Sequence, residues 1–313
     1  MPHAHAIAVY QRHFILSQLQ RRTSRYGQPF CACYLTSPEG RQWMAYWWQA
    51  FPYRNHWPDG VEVYASVRPR RMGRAWILDI IDLQVAALVE VFPQKDVQST
   101  LPGWLLEKAV YPTLLRELWA QIHMFSSTPL RSFNQRILHD PEISLFWVTI
   151  PASHAHHHAE AGGLLRHSVE ALRLLSWAEA MTLLEWEVAR TAVLWHDVGK
   201  ILGYDAQGQR TMEGWTTAHE EATSEVLATH LAWLRRQSPE LVTALKIHWS
   251  GRTPRPLMPG RILVESCDRM SAALDSRRLA FAQQPAQRQF AQLSGPGPAT
   301  RFWRLRPGIK AFH

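Results

Sequence analysis

Cysteine is scarce. Cys31, Cys33 and Cys267 are all that 313 residues contain, too few and too scattered for a disulfide framework, and Cys-Ala-Cys is not the spacing of a zinc knuckle. A reducing, cytoplasmic setting is the expectation. Long apolar runs are missing too. The opening MPHAHAIAVYQRHF lacks the apolar core of a secretion signal, and the most apolar stretch, WILDIIDLQVAALVEVF, is broken by Asp79, Asp82 and Glu90, which argues against any membrane span. Acidic residues are in deficit, 26 Asp and Glu against 34 Lys and Arg, for a net charge of +8 with histidine neutral. The surface field should therefore attract polyanions. No internal repeat is present.

What is plentiful is histidine, at 16, and tryptophan, at 15, in a chain that is 46% hydrophobic and 19% charged. That composition is globular, and the length suits two domains. Residues 10 to about 85 read as short extended segments separated by turns at Tyr26-Gly27-Gln28-Pro29, Pro38-Glu39-Gly40, Pro58-Asp59-Gly60 and Arg71-Met72-Gly73-Arg74. About five strands are expected, fitting a five-stranded barrel of the OB type or a small open sheet. From about residue 100 the periodicity becomes helical, with LLEKAVYPTLLRELWAQIHMF interrupted at Pro112 and five further helical segments between Gly162 and about Ala282. The resulting division is a β domain over 1–90, a helical connector over 91–144, a helical domain over 145–285 and a Pro-, Gly- and Gln-rich basic tail over 286–313. The tail reads as a linker with an extension whose RFWRLRPGIK segment either binds a strand or is a plain basic end.

The helical domain carries a histidine and aspartate constellation, distributed through five successive helices. Gly162-Gly163 opens a helix with a buried stripe of Leu165, Val169 and Leu172, and His167 lies in its first turns. The next helix buries Leu184, Val188, Ala192 and Trp195 and ends at Gly199, so adjacent His196 and Asp197 sit at its C-terminal end, where both can face one metal. Thr217-Ala218-His219-Glu220 has the form of a capping box and places His219 in a first turn. Ser238-Pro239 starts a helix with His248 on its last turn, and a fifth helix, RILVESCDRMSAAL, carries Asp268.

Imidazole and carboxylate together suit a divalent ion, manganese first, with magnesium, iron or zinc as alternatives, bound singly or in pairs. Asp197 is the natural bridge, with His167, His196 and Asp268 completing one site and His219 and His248 a second. Metal-bound water would be the nucleophile, and Lys200 could hold a phosphoryl oxygen. Upstream, His154, His156, His157 and His158 are too dense for a core stripe and read as binding metal or phosphate.

Residues 167, 196, 197 and 268 reproduce the H…HD…D order of the HD phosphohydrolase superfamily, and about residues 145 to 280 resemble it. PASHAHHHAEAGGLLRHSVE and VLWHDVGK resemble two of its branches. One comprises YhaM-type 3′-to-5′ exoribonucleases, which join an OB-fold to an HD domain. The other is the TraI-like HD domain of MobH conjugative relaxases. YhaM-type proteins carry a His-His pair where this chain has only His248 before Trp249-Ser250-Gly251. The resemblance implies an α+β chain of two domains, a small OB-like β-barrel followed by an all-α HD domain.

In that arrangement the barrel would hold single-stranded RNA or DNA. Trp43, Tyr46, Trp47 and Trp48 share a strand from which Trp43 and Trp47 are taken as base-stacking candidates, Arg68, Arg70, Arg71 and Arg74 cluster at a hairpin, and His156, His157 and His158 could add phosphate contacts. The expected function is a metal-dependent phosphodiesterase on single strands, a 3′-to-5′ exonuclease by resemblance. The alternatives are a relaxase or mobilisation protein that nicks DNA alongside conjugation machinery, a nucleotide phosphohydrolase, and a binding protein with a dead site. Self-association is left open.

Overall fold

A computed structural model describes residues 9–49, 57–89, 100–154, 157–176, 181–205, 209–216, 219–250, 258–294 and 299–305. Five strands, β1 (Tyr10–Thr23), β2 (Pro29–Thr36), β3 (Gln42–Trp47), β4 (Val61–Met72) and β5 (Ala75–Val85), close into a barrel in the order β1-β2-β3-β5-β4. All pairings are antiparallel except β3 with β5, so no strand edge is left unpaired around the ring. Each turn carries a glycine at positive φ, Gly27, Gly40, Gly60 and Gly73, where a side chain would be strained. β1 bends at a register shift between Ser17 and Gln20, next to Gln18 at φ 52°, and a bulge of this kind adds the curvature that closure needs.

Period-two alternation fills the interior with Phe14, Leu16, Cys31, Cys33, Leu35, Ala45, Trp47, Val61, Val63 and Ala65. Four short helices follow: α1 (Gly103–Lys108), α2 (Pro112–His123), α3 (Thr128–Leu138) and α4 (Pro141–Thr149). Pro112 opens α2, as its missing N–H permits. Ser127 caps α3 and Asp140 caps α4 through side-chain oxygens. The barrel and the helices share one continuous apolar core. Buried Trp57 donates its indole N–H to Glu142 Oε1 at 2.7 Å, fixing the barrel to the start of α4.

The helical domain continues with α5 (Gly163–Leu174), α6 (Leu183–Trp195), α7 (Met212–Thr216), α8 (His219–Val226), α9 (Ala228–Gln237), α10 (Pro239–Trp249) and α11 (Pro259–Phe281). α6 starts at a capping box formed by Thr182 and Glu185. Leu184, expected inside, is exposed, whereas Val188, Ala192 and Trp195 are buried. Leu184 lies in the first turn, before the helix has reached the core. The capping sequence at Thr217-Ala218 lies outside the described residues. Within the tail, β6 (Phe290–Leu293) and β7 (Thr300–Trp303) pair as a hairpin, a regular element in a segment read as a linker. Among the described residues no helix is long and apolar enough to cross a membrane, and the three cysteines are buried and form no disulfide.

Candidate metal centre

The C-terminal end of α6 is pinned from three sides. Trp195 Nε1 donates to Asn134 Oδ1 on α3 at 2.7 Å, while the Asn134 amide donates to Thr191 Oγ1 and to the Leu130 carbonyl. The Trp195 ring lies 4.8 Å from that of Trp147 on α4, and Trp249 of α10 donates to the Ala192 carbonyl. Buried polar groups bonded this fully hold a helix in one rotation. His196, the C-cap residue, and Asp197 after it are thereby presented to one spot, and Thr223 of α8 donates to the His196 carbonyl.

At that spot, ligand atoms of His167, His196, Asp197 and Asp268 lie within 4.8 Å of one another. His167 Nε2 is 3.3 Å from His196 Nε2, 3.1 Å from Asp268 Oδ1 and 3.5 Å from Asp197 Oδ2. His196 Nε2 is 3.4 Å from each of the two carboxylate oxygens. The remote nitrogens are occupied. His196 Nδ1 faces the Val193 carbonyl at 2.7 Å, which obliges it to carry the proton, and His167 Nδ1 meets Ser271 Oγ at 3.0 Å. Both rings thus turn Nε2 inward, the orientation that outer partners impose on ligating histidines.

The electrostatics agree with a cation between these groups. Burial alone would lower the pKa of His196, but the carboxylates of Asp197 and Asp268 outweigh it and hold the value above the ordinary one. Burial would raise Asp268, yet hydrogen bonds from His167 and His196 hold it far below the usual carboxylate range. Two imidazoles and two carboxylates, all within reach of one point, make a hard-to-borderline donor set of the right charge for a dication. The residues present fit the group.

Lys200 reaches the same place, with Nζ 2.5 Å from Asp197 Oδ2. His157, expected to contact nucleic acid, lies half-buried beside the cluster, its ring centroid 5.5 Å from that of His167. Burial first, then His167 and Lys200, push its pKa down to about 4, so it is neutral at neutral pH and offers a hydrogen bond rather than a charge. His158, expected to make the same kind of contact, does not. It is wholly buried at φ 48°, its N–H donates to Asp275 Oδ2 at 2.7 Å, and its Nε2 lies 3.4 Å from Ser271 Oγ and 3.3 Å from Glu170 Oε2. His158 thus stands behind Ser271 and His167 and is closed to any strand. Sequence reading missed Ser271, four residues before Asp275 and three after Asp268. That spacing on one helix face is the signal that could have found it.

The second ligand set is not assembled by the described residues. His248 is buried with Nδ1 on the Ala244 carbonyl at 2.8 Å, and its Nε2 lies so close to Gly260 that a Cβ there would stand 2.8 Å away. It faces the start of α11, two turns before Asp268, and does not join the cluster. The side chains of His219 and His156 lie outside the described residues.

Residues 164–273 match the HD domain family. The matched span contains all four converging ligands, and members of that family are metal-dependent hydrolases. A search of curated proteins found no match. A solved structure, the second OB-fold domain of replication protein A from Methanococcus maripaludis, aligns over 26% of this chain and 85% of its own length, at 7% identity and a TM-score of 0.22. The barrel is OB-like in its own strand order and closure.

On the barrel, parity decides which aromatics are available. Cys31, Cys33 and Leu35 point inward and are the cross-strand partners of Trp47, Ala45 and Trp43, and partners share a face. Trp47 is therefore core at 5% exposure, which removes it as a stacking residue, and Trp43 is half-buried edge-on against Phe14. The outward set is Phe30, Tyr46 and Trp48: the Trp48 ring, on a side chain 51% exposed, stacks with Phe30 at 5.2 Å and with Tyr46 at 5.5 Å, and Phe30 and Tyr46 lie tilted 6.1 Å apart. Arg70 is held bidentate by Asp79, to which Trp48 Nε1 also donates. Arg68, the cross-strand partner of Asp79, is exposed, as are Arg71 and Arg74 at the β4–β5 turn.

Proposed function

We propose that the protein is a divalent-metal phosphodiesterase that degrades single-stranded nucleic acid from a 3′ end. The observation that carries the reading is the convergence of His167, His196, Asp197 and Asp268 inside a span that matches the HD domain family. These four residues would hold a manganese or similar ion, whose role when bound is to supply hydroxide near neutrality and offset phosphate charge. Lys200 holds a cation against Asp197 at the rim, where a phosphoryl oxygen could take its place. His157, neutral, offers a hydrogen bond beside it. The single-strand part of the reading is supported by Trp48, 51% exposed and stacked on half-buried Phe30 and Tyr46, with the Arg70 guanidinium 5.8 Å over its ring and exposed Arg68 paired across the sheet with Asp79, an aromatic and basic combination that suits unpaired bases. The 3′-to-5′ direction rests on the resemblance to YhaM-type enzymes.

The test is to incubate purified protein with 5′-labelled single-stranded RNA and DNA and manganese, beside Asp197→Ala, and resolve products by size. A shortening ladder absent from the variant is the expected result. A single cut in DNA would replace this reading with the nicking activity of a relaxase. Intact strands alongside hydrolysis of nucleotides would replace it with a nucleotide phosphohydrolase.

A further inference from the structure

After Asp275 the sequence contains six arginines and one lysine and no acidic residue. The middle of this stretch is the β6–β7 hairpin, in register Phe290 with Trp303 and Gln292 with Arg301. The alternation is clean. Ala291, Leu293, Phe302 and Arg304 are half-buried, and the hairpin is anchored by Arg304, whose guanidinium lies 4.2 Å over the Phe281 ring of α11 and donates to the Pro285 and Arg288 carbonyls. Phe290, Gln292, Arg301 and Trp303 form the opposite, exposed face. Phe290 is 62% and Trp303 56% exposed, and their rings lie within 20° of parallel with centroids 6.3 Å apart.

A two-stranded ribbon gains little from keeping two large rings in water. An exposed, nearly parallel aromatic pair bordered by a guanidinium and an amide, on a stretch of chain that carries no acidic residue, matches a polyanion with flat apolar faces. We infer that the outer face of the β6–β7 hairpin is a second contact site for single-stranded nucleic acid, with bases stacking on Phe290 and Trp303 and a phosphate held by Arg301. It is separate from the aromatic stack of the barrel. The inference rests on the reading of the chain as a single-strand binder, and it does not depend on hydrolysis.

The experiment measures anisotropy of fluorescein-labelled oligouridylate and oligothymidylate with the full chain in chelator, so that no strand is cut. Trp303→Ala and Phe290→Ala should each weaken binding ~5- to 30-fold, the lower part of the range for loss of a stacked base. Trp303→Phe should restore most of it. Arg301→Gln should reduce the slope of log affinity against log salt by about 0.7, one phosphate contact on a single strand. Unchanged affinity in the Phe290 and Trp303 variants, with wild-type and Trp48→Ala differing as expected, would overturn this inference and leave the barrel reading standing. Wild-type protein that binds neither strand would overturn both. Unchanged strand affinity with altered sedimentation, or with lost binding to anionic phosphatidylserine vesicles, would assign the face to a second copy of the chain or to a lipid surface instead.

Discussion

Ser271 offers the sharpest test of the metal centre, because it touches the ligand set without belonging to it. Its hydroxyl, wholly buried, lies 3.0 Å from His167 Nδ1 and 3.4 Å from His158 Nε2. Ser271→Ala removes the group that holds the His167 ring with Nε2 inward. Loss of such an outer partner ordinarily weakens metal binding ~10- to 100-fold, or ~1.4 to 2.8 kcal/mol. Two imidazole nitrogens also lose a neighbour in the interior, a cost of about 1 to 3 kcal/mol in stability. Stability loss alone would not implicate the site, so a second variant is needed. Ser144→Ala on α4 deletes an equally buried hydroxyl, bonded at 2.8 Å to the Asp140 carbonyl, away from the ligands. Manganese affinity near neutral pH, followed by the electron paramagnetic resonance signal of the free ion, should fall for Ser271→Ala and stay at the wild-type value for Ser144→Ala. Wild-type affinity in folded Ser271→Ala, or equal losses in both variants, would refute the orientation argument.

Three other expectations concern separate parts of the chain. Tyr46→Ala and Trp48→Ala should weaken single-strand binding ~5- to 100-fold with little change in melting temperature, whereas Trp47→Ala should cost about 3 to 5 kcal/mol through the cavity it leaves; calorimetry and anisotropy together separate them. Gly163→Ala would place a Cβ 2.0 Å from the His158 carbonyl oxygen, so the His158 turn must move, and both the melting temperature and manganese binding should drop; a variant indistinguishable from wild type would show that this packing is wrong. Burial, with Cys31 beside it, pushes the Cys33 thiol up to about 12 from 9.0. A raised folded-state pKa means stability that is intact below the unfolded value and lost as pH climbs towards the folded one. The unfolding free energy from denaturant titrations should therefore fall between about pH 9 and 12, by up to about 4 kcal/mol, and Cys33→Ser or Cys33→Ala should flatten that decline.

Much of the fold is legible because its signals are local. Gly27, Gly40, Gly60 and Gly73 mark the turns, and each adopts the positive φ that its turn requires. Pro112 separates two helices, and Ser238-Pro239 begins α10. Three of the four central ligands also announce themselves by position: His167 just inside a helix opened by two glycines, and His196 with Asp197 at a helix end. Asp268, on a long helix with no local signal of its own, is singled out by the H…HD…D order, and its approach to His167 and His196 appears in the assembled bundle.

The chain's own order of residues thus determined the five N-terminal strands, the change to helices and the two-part architecture, and it singled out His167, His196, Asp197 and Asp268, since turns, caps and periodicity act over a few residues; it did not give the seven described helices of the second part or the β6–β7 hairpin. Tertiary structure alone decided which of several chemically equivalent side chains are available. Strand parity put Trp47 inside and Trp48 outside, because cross-strand pairing with Cys31 assigns the face. Packing of α11 turned His158 to Asp275 and Ser271, and left His248 against Gly260 rather than in the His167, His196, Asp197 and Asp268 cluster. Ring contacts and hairpin register gave the tail an exposed aromatic pair where composition suggested a linker. Each of these outcomes depends on contacts between residues far apart in the chain, and only the folded arrangement specifies them.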